Sequence, residues 1–444
     1  MGAYLERCVD KNVEDTLGVM GAVLLQGCRA CGKTSTGLHH AQSDVRFDES
    51  PQMIELAELN PGQVLQGETP RLIDEWQLAP RIWNAMRHEV DRRQAKGQFI
   101  LSGSALPADD VTRHSGAGRV ARIHMRPMSL AESGSSSGVV SLRKLFYGQG
   151  GEYGEGTGLM VDGMQGEFQP PHQHQNKVSA RSDLGYEDIA QAACFGGWPA
   201  LIGATQADVR IYLQSYIDEL THTDIPTATT TTHKPRRLLR LMQAIARNIA
   251  TEVAVSTLAA EVGHDGANTT PATARDYMDA MSQVFILEEQ PAWATHLRSR
   301  SRLRQTAKLH FVDPSLACAV LGVEASRLSA DPEYFGFVFE SMVVRDLRIY
   351  ASGFGGQVFH YRDNTGLEID AIIETWDGRW AGIEVKLGAN RVAQGEAALL
   401  KLARERVDIT RIGEPAFLAV ITGSEYAYTL PSGVHVIPLA TLGA

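Results

Sequence analysis

The sequence has few cysteines for its length and carries no long apolar run. Its five cysteines are scattered through 444 residues, which is not the dense pattern of a secreted disulfide framework. No segment approaches the roughly 18 consecutive apolar residues that a membrane helix needs. Basic residues are outnumbered as well, because 42 Lys and Arg stand against 52 Asp and Glu. We therefore expect a cytoplasmic protein with no membrane partner, and one that does not bind nucleic acid over its whole surface.

The chain is too long for one hydrophobic core, and its patterns change along its length. Short apolar runs alternate with amphipathic stretches between residues 20 and 130, which predicts a parallel sheet covered by helices on both faces. Three helical patterns followed by an alternating stretch predict a winged helix, and a helix followed by strands closes the chain. The predicted α/β organisation is a P-loop NTPase core (1–132), a flexible Gly/Ser-rich insertion (133–180), a helical connector and linker (181–235), a winged-helix domain (236–325) and a final α/β domain (326–444).

The stretch GCRACGKT at residues 27–34 follows the apolar run VLLQ and precedes a helical pattern. In such a loop the backbone N–H groups turn inward around phosphates, a lysine neutralises the outer phosphates and a hydroxyl binds Mg²⁺. The alternative is a glycine turn that carries a lysine and a threonine by chance. Taken as a phosphate loop, the stretch predicts an ATP and Mg²⁺ site formed by Gly27, Cys28, Arg29, Ala30, Cys31, Gly32, Lys33, Thr34 and Ser35.

Two further segments supply the other groups that ATP hydrolysis needs. The apolar run in RLIDEWQ ends in Asp74 and Glu75, an arrangement that orients Mg²⁺ and polarises an attacking water. The run in QFILSGS ends in Ser102 and Ser104, whose hydroxyls can contact the γ-phosphate or the water. Arg119 follows in the next segment and is either a surface arginine or a residue that acts on the nucleotide of a neighbouring subunit.

Cys28 and Cys31 lie inside the predicted phosphate loop. A disulfide between them would change the backbone that surrounds the phosphates, so oxidation could switch off nucleotide binding. The alternative is that variable loop positions simply tolerate cysteine. The redox role stays a hypothesis at this point.

A family resemblance is carried by YLERCVD, GCRACGKT, LIDEWQLAPRIWNAMRHEVD, FILSGSALP, GAGR, RPMSLAE, GGWPALI, FVDPSLA and EVK. These stretches are similar to predicted AAA-type ATPases of bacteria and archaea whose C-terminal part is the domain of unknown function DUF4143. The resemblance covers nearly the whole chain except the insertion, and Thr223 stands where the family often has an arginine. It implies an ATPase core, a winged-helix middle and a C-terminal domain similar to the restriction-endonuclease-like fold.

The C-terminal region contains the spacing of a nuclease-type site. About a dozen residues separate Asp370 from the ExK motif of Glu384 and Lys386, and strand alternation places Glu384 and Lys386 on one face. In such a site the carboxylates of Asp370 and Glu384 hold Mg²⁺ and the lysine positions the attacking water. Glu340, in the preceding helix, is the candidate third acid. The alternatives are an amphipathic strand without a site, or a nuclease-like scaffold that no longer cleaves.

A basic stretch, LRSRSRLRQTAK, lies near the end of the predicted winged helix. In a strand, alternating side chains would place its arginines on one face, where they could contact the phosphates of the DNA backbone. A solvated edge strand is the alternative interpretation. The predicted nucleic-acid contacts are Arg298, Arg300, Arg302, Arg304 and Lys308.

Two functions follow from these predictions. The first is an Mg²⁺-dependent ATPase whose nucleotide state moves a winged-helix and nuclease-like tail that acts on DNA. The second is a nucleotide-controlled switch or scaffold that binds a protein partner, with an inactive nuclease-like domain. In either case the protein could assemble as a homo-oligomer.

Overall fold

The N-terminal region folds into a five-stranded, wholly parallel sheet, as the alternation of apolar and amphipathic runs predicts. The computed structural model describes residues 4–104, 115–148, 177–228, 234–263, 269–294 and 306–444. The sheet is covered on both faces, because Val23 and Leu25 pack into one apolar cluster while Ala22 and Leu24 pack into another. The elements are α1 (Asp10–Leu17), β1 (Ala22–Gly27), α2 (Lys33–His40), β2 (Ser43–Arg46), α3 (Pro51–Leu59), α4 (Pro61–Val64), β3 (Arg71–Asp74), α5 (Arg81–Arg93), β4 (Phe99–Gly103) and β5 (Val120–Met125).

The strand order of this sheet is β2-β3-β4-β1-β5. Strand β4 therefore lies between β1, which leads into the glycine-rich loop, and β3, which ends in Asp74. Because all strands are parallel, their carboxyl ends meet at one edge of the sheet. This edge is where the predicted phosphate loop and both polar strand ends lie.

The prediction of a flexible insertion at residues 133–180 is wrong for the first part of this segment. Residues 140–147 form β6 (Val140–Ser141) and α6 (Leu142–Tyr147), and Leu142, Leu145 and Phe146 are buried. These three side chains have helical spacing, and their burial outweighs the glycines and serines around them. At the far end, β7 (Ala180–Arg181) pairs with a strand of the C-terminal sheet. Residues 149–176 of the predicted insertion lie outside the described residues.

The middle region is mainly helical and contains a pair of strands, followed by two short helices. Its two strands pair antiparallel, with Leu287 opposite Phe311 and Gln290 opposite Lys308. Three helices and a hairpin match the predicted order of elements, whereas the winged-helix assignment itself stays a prediction. The elements are α7 (Tyr186–Phe195), α8 (Gln206–Glu219) with a π-helical continuation (Leu220–Asp224), α9 (Ile225–Ala228), α10 (Pro235–Arg247), α11 (Val255–Gly263), α12 (Pro271–Gln283), β8 (Leu287–Gln290), β9 (Lys308–Phe311), α13 (Pro314–Leu321) and α14 (Ala325–Ser329).

The C-terminal region packs one long helix against a mixed seven-stranded sheet of order β10-β11-β12-β13-β15-β14-β7. Strands β10, β11 and β12 are antiparallel, and β12, β13 and β15 run parallel. The elements are α15 (Pro332–Ser352), β10 (Gln357–Arg362), β11 (Glu368–Glu374), β12 (Trp380–Lys386), α16 (Val392–Lys401), α17 (Ile409–Ile412), β13 (Phe417–Thr422), β14 (Tyr426–Thr429), β15 (His435–Pro438) and β16 (Leu442–Gly443).

Buried charges join the three regions. Glu288 on β8 accepts hydrogen bonds from Arg126, which follows β5, and from Arg348 on α15. Arg345 on α15 pairs with Asp313 and with its neighbour Asp346. One apolar cluster also runs through all three regions and joins their cores. Two further clusters pack on the opposite faces of the N-terminal and C-terminal sheets. Among the described residues, no helix has both the length and the apolarity that crossing a membrane requires.

Candidate nucleotide site and C-terminal acidic cluster

The loop at residues 27–34 connects β1 to α2 and places its lysine inside a backbone cradle. Lys33 is buried, and its Nζ donates to the carbonyls of Gly27 and Cys28 at 3.0 and 2.8 Å. Gly32 has φ +102°, a conformation that favours glycine. A Cβ on Gly27 would lie 2.1 Å from the carbonyl oxygen of Met125 on β5. Backbone geometry therefore requires both glycines of the motif.

Two of the predicted metal ligands lie side by side at the carboxyl edge of the sheet. The Thr34 hydroxyl donates to Oδ2 of Asp74 at 2.9 Å, although 40 residues separate them. The other oxygen of Asp74 accepts from Ser102, and both Asp74 and Ser102 are buried. Hydroxyl and carboxylate oxygens are the ligands that Mg²⁺ prefers, so these residues fit the ion that the predicted site requires.

Glu75 stands next to this pair in an unusual backbone conformation. Its φ is 51°, which few residues other than glycine adopt, and such strain clusters at functional sites. Its carboxylate accepts from Gln77 and from the hydroxyl of Ser104, the latter at 3.4 Å. Burial raises the pKa of Glu75, and Lys33 opposes that rise. A carboxylate with a raised pKa beside the phosphate loop is suited to general-base chemistry.

Arg119 lies away from the phosphate loop of its own chain. It precedes β5 at the end that pairs with Ala22, whereas the loop follows Gly27 at the other end of the same strand pair. Its guanidinium is partly exposed and bonds Asp91 at 2.7 Å. An action of Arg119 on the nucleotide of a neighbouring subunit stays a prediction.

Sequence reasoning missed two residues that hold the loop. Arg7 is buried and donates to the carbonyls of Cys31 and Arg126 at 2.9 and 2.8 Å. Asp224 forms an ion pair with Arg29 at 3.0 Å, which brings the end of the helical connector to the loop. Arg7 lies within the YLERCVD stretch, so a signal was present, whereas nothing local marked Asp224. Ser35 is exposed on the first turn of α2.

Cys28 and Cys31 are both buried free thiols. A hydrogen bond from Cys28, together with the charges of Lys33 and Arg7, lowers the pKa of Cys31 to about 5 against the effect of burial. Burial and the neighbouring Cys31 raise the pKa of Cys28. The two thiols of the pair therefore differ in pKa, as in dithiol pairs that form disulfides. The redox role stays a hypothesis.

The structure brings the four predicted C-terminal site residues together. Lys386 on β12 contacts Glu384 at 2.5 Å and Asp370 on β11 at 3.4 Å. Asp370 also accepts from the backbone N–H of Val385 at 2.8 Å. Glu340 reaches the same place from α15. A cleft of about 840 Å³ opens beside Glu340, Asp370 and Lys386.

A fifth residue enters this cluster, and it corrects a prediction. Lys308 was expected on an exposed basic face, but only 6% of its surface is exposed. Its Nζ lies 2.6 Å from Glu340 and 3.7 Å from Asp370. The reason is that all four residues of β9 are buried between the helices and the C-terminal sheet. The arginines expected to accompany it, Arg298, Arg300, Arg302 and Arg304, lie outside the described residues.

Crowding of charge perturbs the acids of this cluster. Burial, reinforced by the charge of Asp370, raises the pKa of Glu384 to about 8 despite its contact with Lys386. Burial likewise raises the pKa of Glu340 to about 7, although Lys308 opposes the rise. Burial disfavours the charged form of Lys308, but its two acidic neighbours outweigh this effect and raise the pKa of the lysine. Three carboxylates thus share two ammonium groups, and their titrations are coupled.

Comparison with known families assigns both ends of the chain. The family model described as "AAA domain" matches residues 20–134, and the domain of unknown function DUF4143 matches residues 335–442. The chain contains an AAA domain followed by a C-terminal DUF4143 domain. The predicted resemblance is confirmed, as is the parallel sheet of an α/β P-loop-like domain. A second domain of unknown function, DUF8612, matches residues 186–327 of this AAA–DUF4143 protein, so it covers both the predicted connector and the predicted winged helix.

Whole-chain similarities are weaker. Uncharacterized proteins of Mycobacterium tuberculosis and Mycobacterium bovis are each 24% identical over 425 residues, which cover 94% of this chain and 79% of theirs. A solved Walker-type ATPase of Pyrococcus abyssi is 11% identical with a TM-score of 0.44, covering 72% of this chain and 96% of that one. The ATPase-like character of the N-terminal domain therefore rests on the AAA family model.

Proposed function

We propose that this AAA–DUF4143 protein binds ATP with Mg²⁺ at the carboxyl edge of its N-terminal sheet and hydrolyses it. The observation that best supports this proposal is the hydrogen bond between Thr34 and Asp74. It brings together a hydroxyl and a carboxylate from separate elements, next to the loop that holds the amine of Lys33. When bound, Mg²⁺ would neutralise charge on the phosphates. Lys33 would leave the loop carbonyls for the phosphate oxygens, and Glu75 would accept a proton from the attacking water.

Replacement of Glu75 by glutamine tests this proposal. We expect ATP turnover to fall by about 10² to 10⁴, while ATP affinity stays within a few-fold, because the amide keeps the shape but cannot take the proton. Lys33→Ala should abolish ATP binding in calorimetry. Glu58→Gln is a matched control, since that carboxylate forms only a partly exposed ion pair with Arg81. Unchanged turnover in Glu75→Gln would refute the assignment of the base.

We further propose that nucleotide state reaches the C-terminal domain through the β8–β9 hairpin. Arg7 contacts both the phosphate loop and the carbonyl of Arg126, and the guanidinium of Arg126 bonds Glu288 on β8. Strand β9 then carries Lys308 to the C-terminal acids. These contacts form a continuous path between the phosphate loop and the C-terminal acids, which supports coupling between the two sites. A test compares the affinity of ADP and of a non-hydrolysable ATP analogue for wild type and for Arg126→Met.

For the partner, we propose DNA, contacted through the basic stretch at residues 298–304. Four arginines without an intervening acid favour phosphate contacts. We expect DNA to stimulate ATP turnover, and DNA affinity to fall steeply between 50 and 200 mM salt. Replacing the four arginines by glutamine should remove both effects. DNA affinity that does not change with salt would contradict the electrostatic account.

One observation favours the second candidate, a nucleotide-controlled scaffold that binds a protein partner. Every carboxylate of the C-terminal cluster already contacts a lysine ammonium, so the cluster carries little net charge with which to attract a metal. Under this function, ATP turnover would be indifferent to DNA. The wild-type protein would not nick plasmid DNA in the presence of Mg²⁺. The Lys386→Ala variant would remain fully competent in cells.

A further inference from the structure

Lys308 belongs to a different region of the chain from the other members of the C-terminal cluster. The acids Glu340, Asp370 and Glu384 and the lysine Lys386 belong to α15, β11 and β12 of the DUF4143 domain. Lys308 belongs to β9 of the preceding region, which the DUF8612 model covers. A positive charge from one domain therefore sits between two carboxylates of the next, at 2.6 Å from Glu340 and 3.7 Å from Asp370.

The strand holds this ammonium in place. Lys308 pairs across the hairpin with Gln290, whose amide donates to the carbonyls of Asp370 and Phe359, each at 2.9 Å. Two residues further along β9, His310 lies 3.0 Å from the Gln290 side chain and 3.1 Å from the hydroxyl of Ser341. The hairpin is thus attached to both the sheet and the long helix on which the acids lie. Lys308 is a fixed counter-charge rather than a mobile surface lysine.

The position of this charge matters for metal binding. A divalent ion held by Glu340 and Asp370 would need the oxygens that Lys308 now contacts. An ammonium fixed about 4 Å away would repel such an ion, and the repulsion is strong in a site with little water. The remaining carboxylate, Glu384, is occupied by Lys386 at 2.5 Å.

We propose that Lys308 occupies the cation position between Glu340 and Asp370, so that a divalent metal enters the C-terminal cluster only when Lys308 is displaced. The functional meaning of this inference rests on the nuclease-like site that the sequence predicts in the C-terminal domain. The inference itself concerns metal binding, however, and can be tested separately from DNA cleavage.

The test measures Mn²⁺ binding to the full chain by electron paramagnetic resonance, without nucleotide and in a Lys33→Ala background. In that background we expect weak binding at the cluster. Adding Lys308→Met should tighten one Mn²⁺ site at least about tenfold, and Asp370→Asn should remove the gain. Lys11→Met, at a lysine that is 65% exposed, is the control and should change nothing.

Two results would overturn the inference. One is a Lys308→Met protein that folds, by circular dichroism, and binds Mn²⁺ no more tightly than its parent. The other result needs no Lys308 variant. If the Lys33→Ala parent bound Mn²⁺ with a dissociation constant below about 10 µM, and Asp370→Asn removed this binding, the lysine would not exclude metal. Tight Mn²⁺ binding by Lys308→Met without nicking of plasmid DNA would support the inference and reject cleavage.

Discussion

Replacing Glu288 by glutamine removes the charge at the point where the three regions meet. The carboxylate of Glu288 bonds Arg126 at 2.9 Å and Arg348 at 2.5 Å, and His124 lies 3.1 Å away. Burial disfavours the carboxylate, but the two guanidinium groups hold its pKa well below the usual range. The substitution would leave the buried Arg348 and the partly buried Arg126 facing each other without this anion.

The expected loss of stability follows from this geometry. Removing one partner of a buried ion pair costs about 3–5 kcal/mol, because the remaining charge stays desolvated and uncompensated. Glutamine retains one carbonyl oxygen that can accept from Arg126 or Arg348, so we place the loss near the lower end, at about 3 kcal/mol. By contrast, Arg247 and Glu261 form a largely exposed pair at 2.8 Å, and such pairs contribute about 1 kcal/mol or less.

Urea denaturation followed by tryptophan fluorescence measures the difference. Trp293 and Trp380 are buried and stack at 5.1 Å between ring centroids, so their emission reports on the contact between the middle region and the C-terminal sheet. We expect the midpoint to fall by about 1 M in Glu288→Gln and to change little in Glu261→Gln. Equal shifts in the two variants would refute the view that buried charges hold the regions together.

Three further outcomes are expected. Gly27→Ala should lower ATP affinity at least about tenfold, because a Cβ would meet the β5 backbone at 2.1 Å, whereas Gly62→Ala, with 3.6 Å to its nearest neighbour, should not. Burial lowers the pKa of His435 to about 4, below its value in the unfolded chain. The contribution of the neutral imidazole to folding stability is therefore full above about pH 6.5, and it falls by on the order of 3 kcal/mol as the pH drops towards 4. The melting temperature of His435→Val should depend less on pH than that of wild type. Oxidation with diamide should weaken ATP binding through a Cys28–Cys31 disulfide, and equal ATP affinity of oxidised and reduced wild type would reject the redox hypothesis.

The geometry of the proposed nucleotide site was the most predictable part of the molecule. Its phosphate loop is built from consecutive residues, so the glycines, Lys33 and Thr34 could be read directly from the chain. Asp74 and Ser102 were predicted as polar residues at the ends of apolar runs, and they meet because parallel strands end at the same edge of a sheet. The apolar run before each of them made that prediction possible.

The C-terminal cluster was predictable only in part. Glu384 and Lys386 lie two residues apart on one strand, and their shared face follows from strand alternation. Nothing in the basic pattern around Lys308 separated it from the arginines before it, because partner and burial are not local properties. The helix at residues 142–147 was missed for a related reason, since Gly and Ser around it obscured three apolar residues that become buried.

The sequence by itself determined the phosphate loop, the acidic strand end and the polar residues of the C-terminal strand, because each depends on neighbours a few positions away. Only the tertiary structure decided which charges meet. Lys308 and Glu340 are 32 residues apart, and Arg126 and Glu288 are 162 apart. A buried charge takes whichever counter-charge the packing brings within reach, because leaving it unpaired in a region of low dielectric costs several kcal/mol.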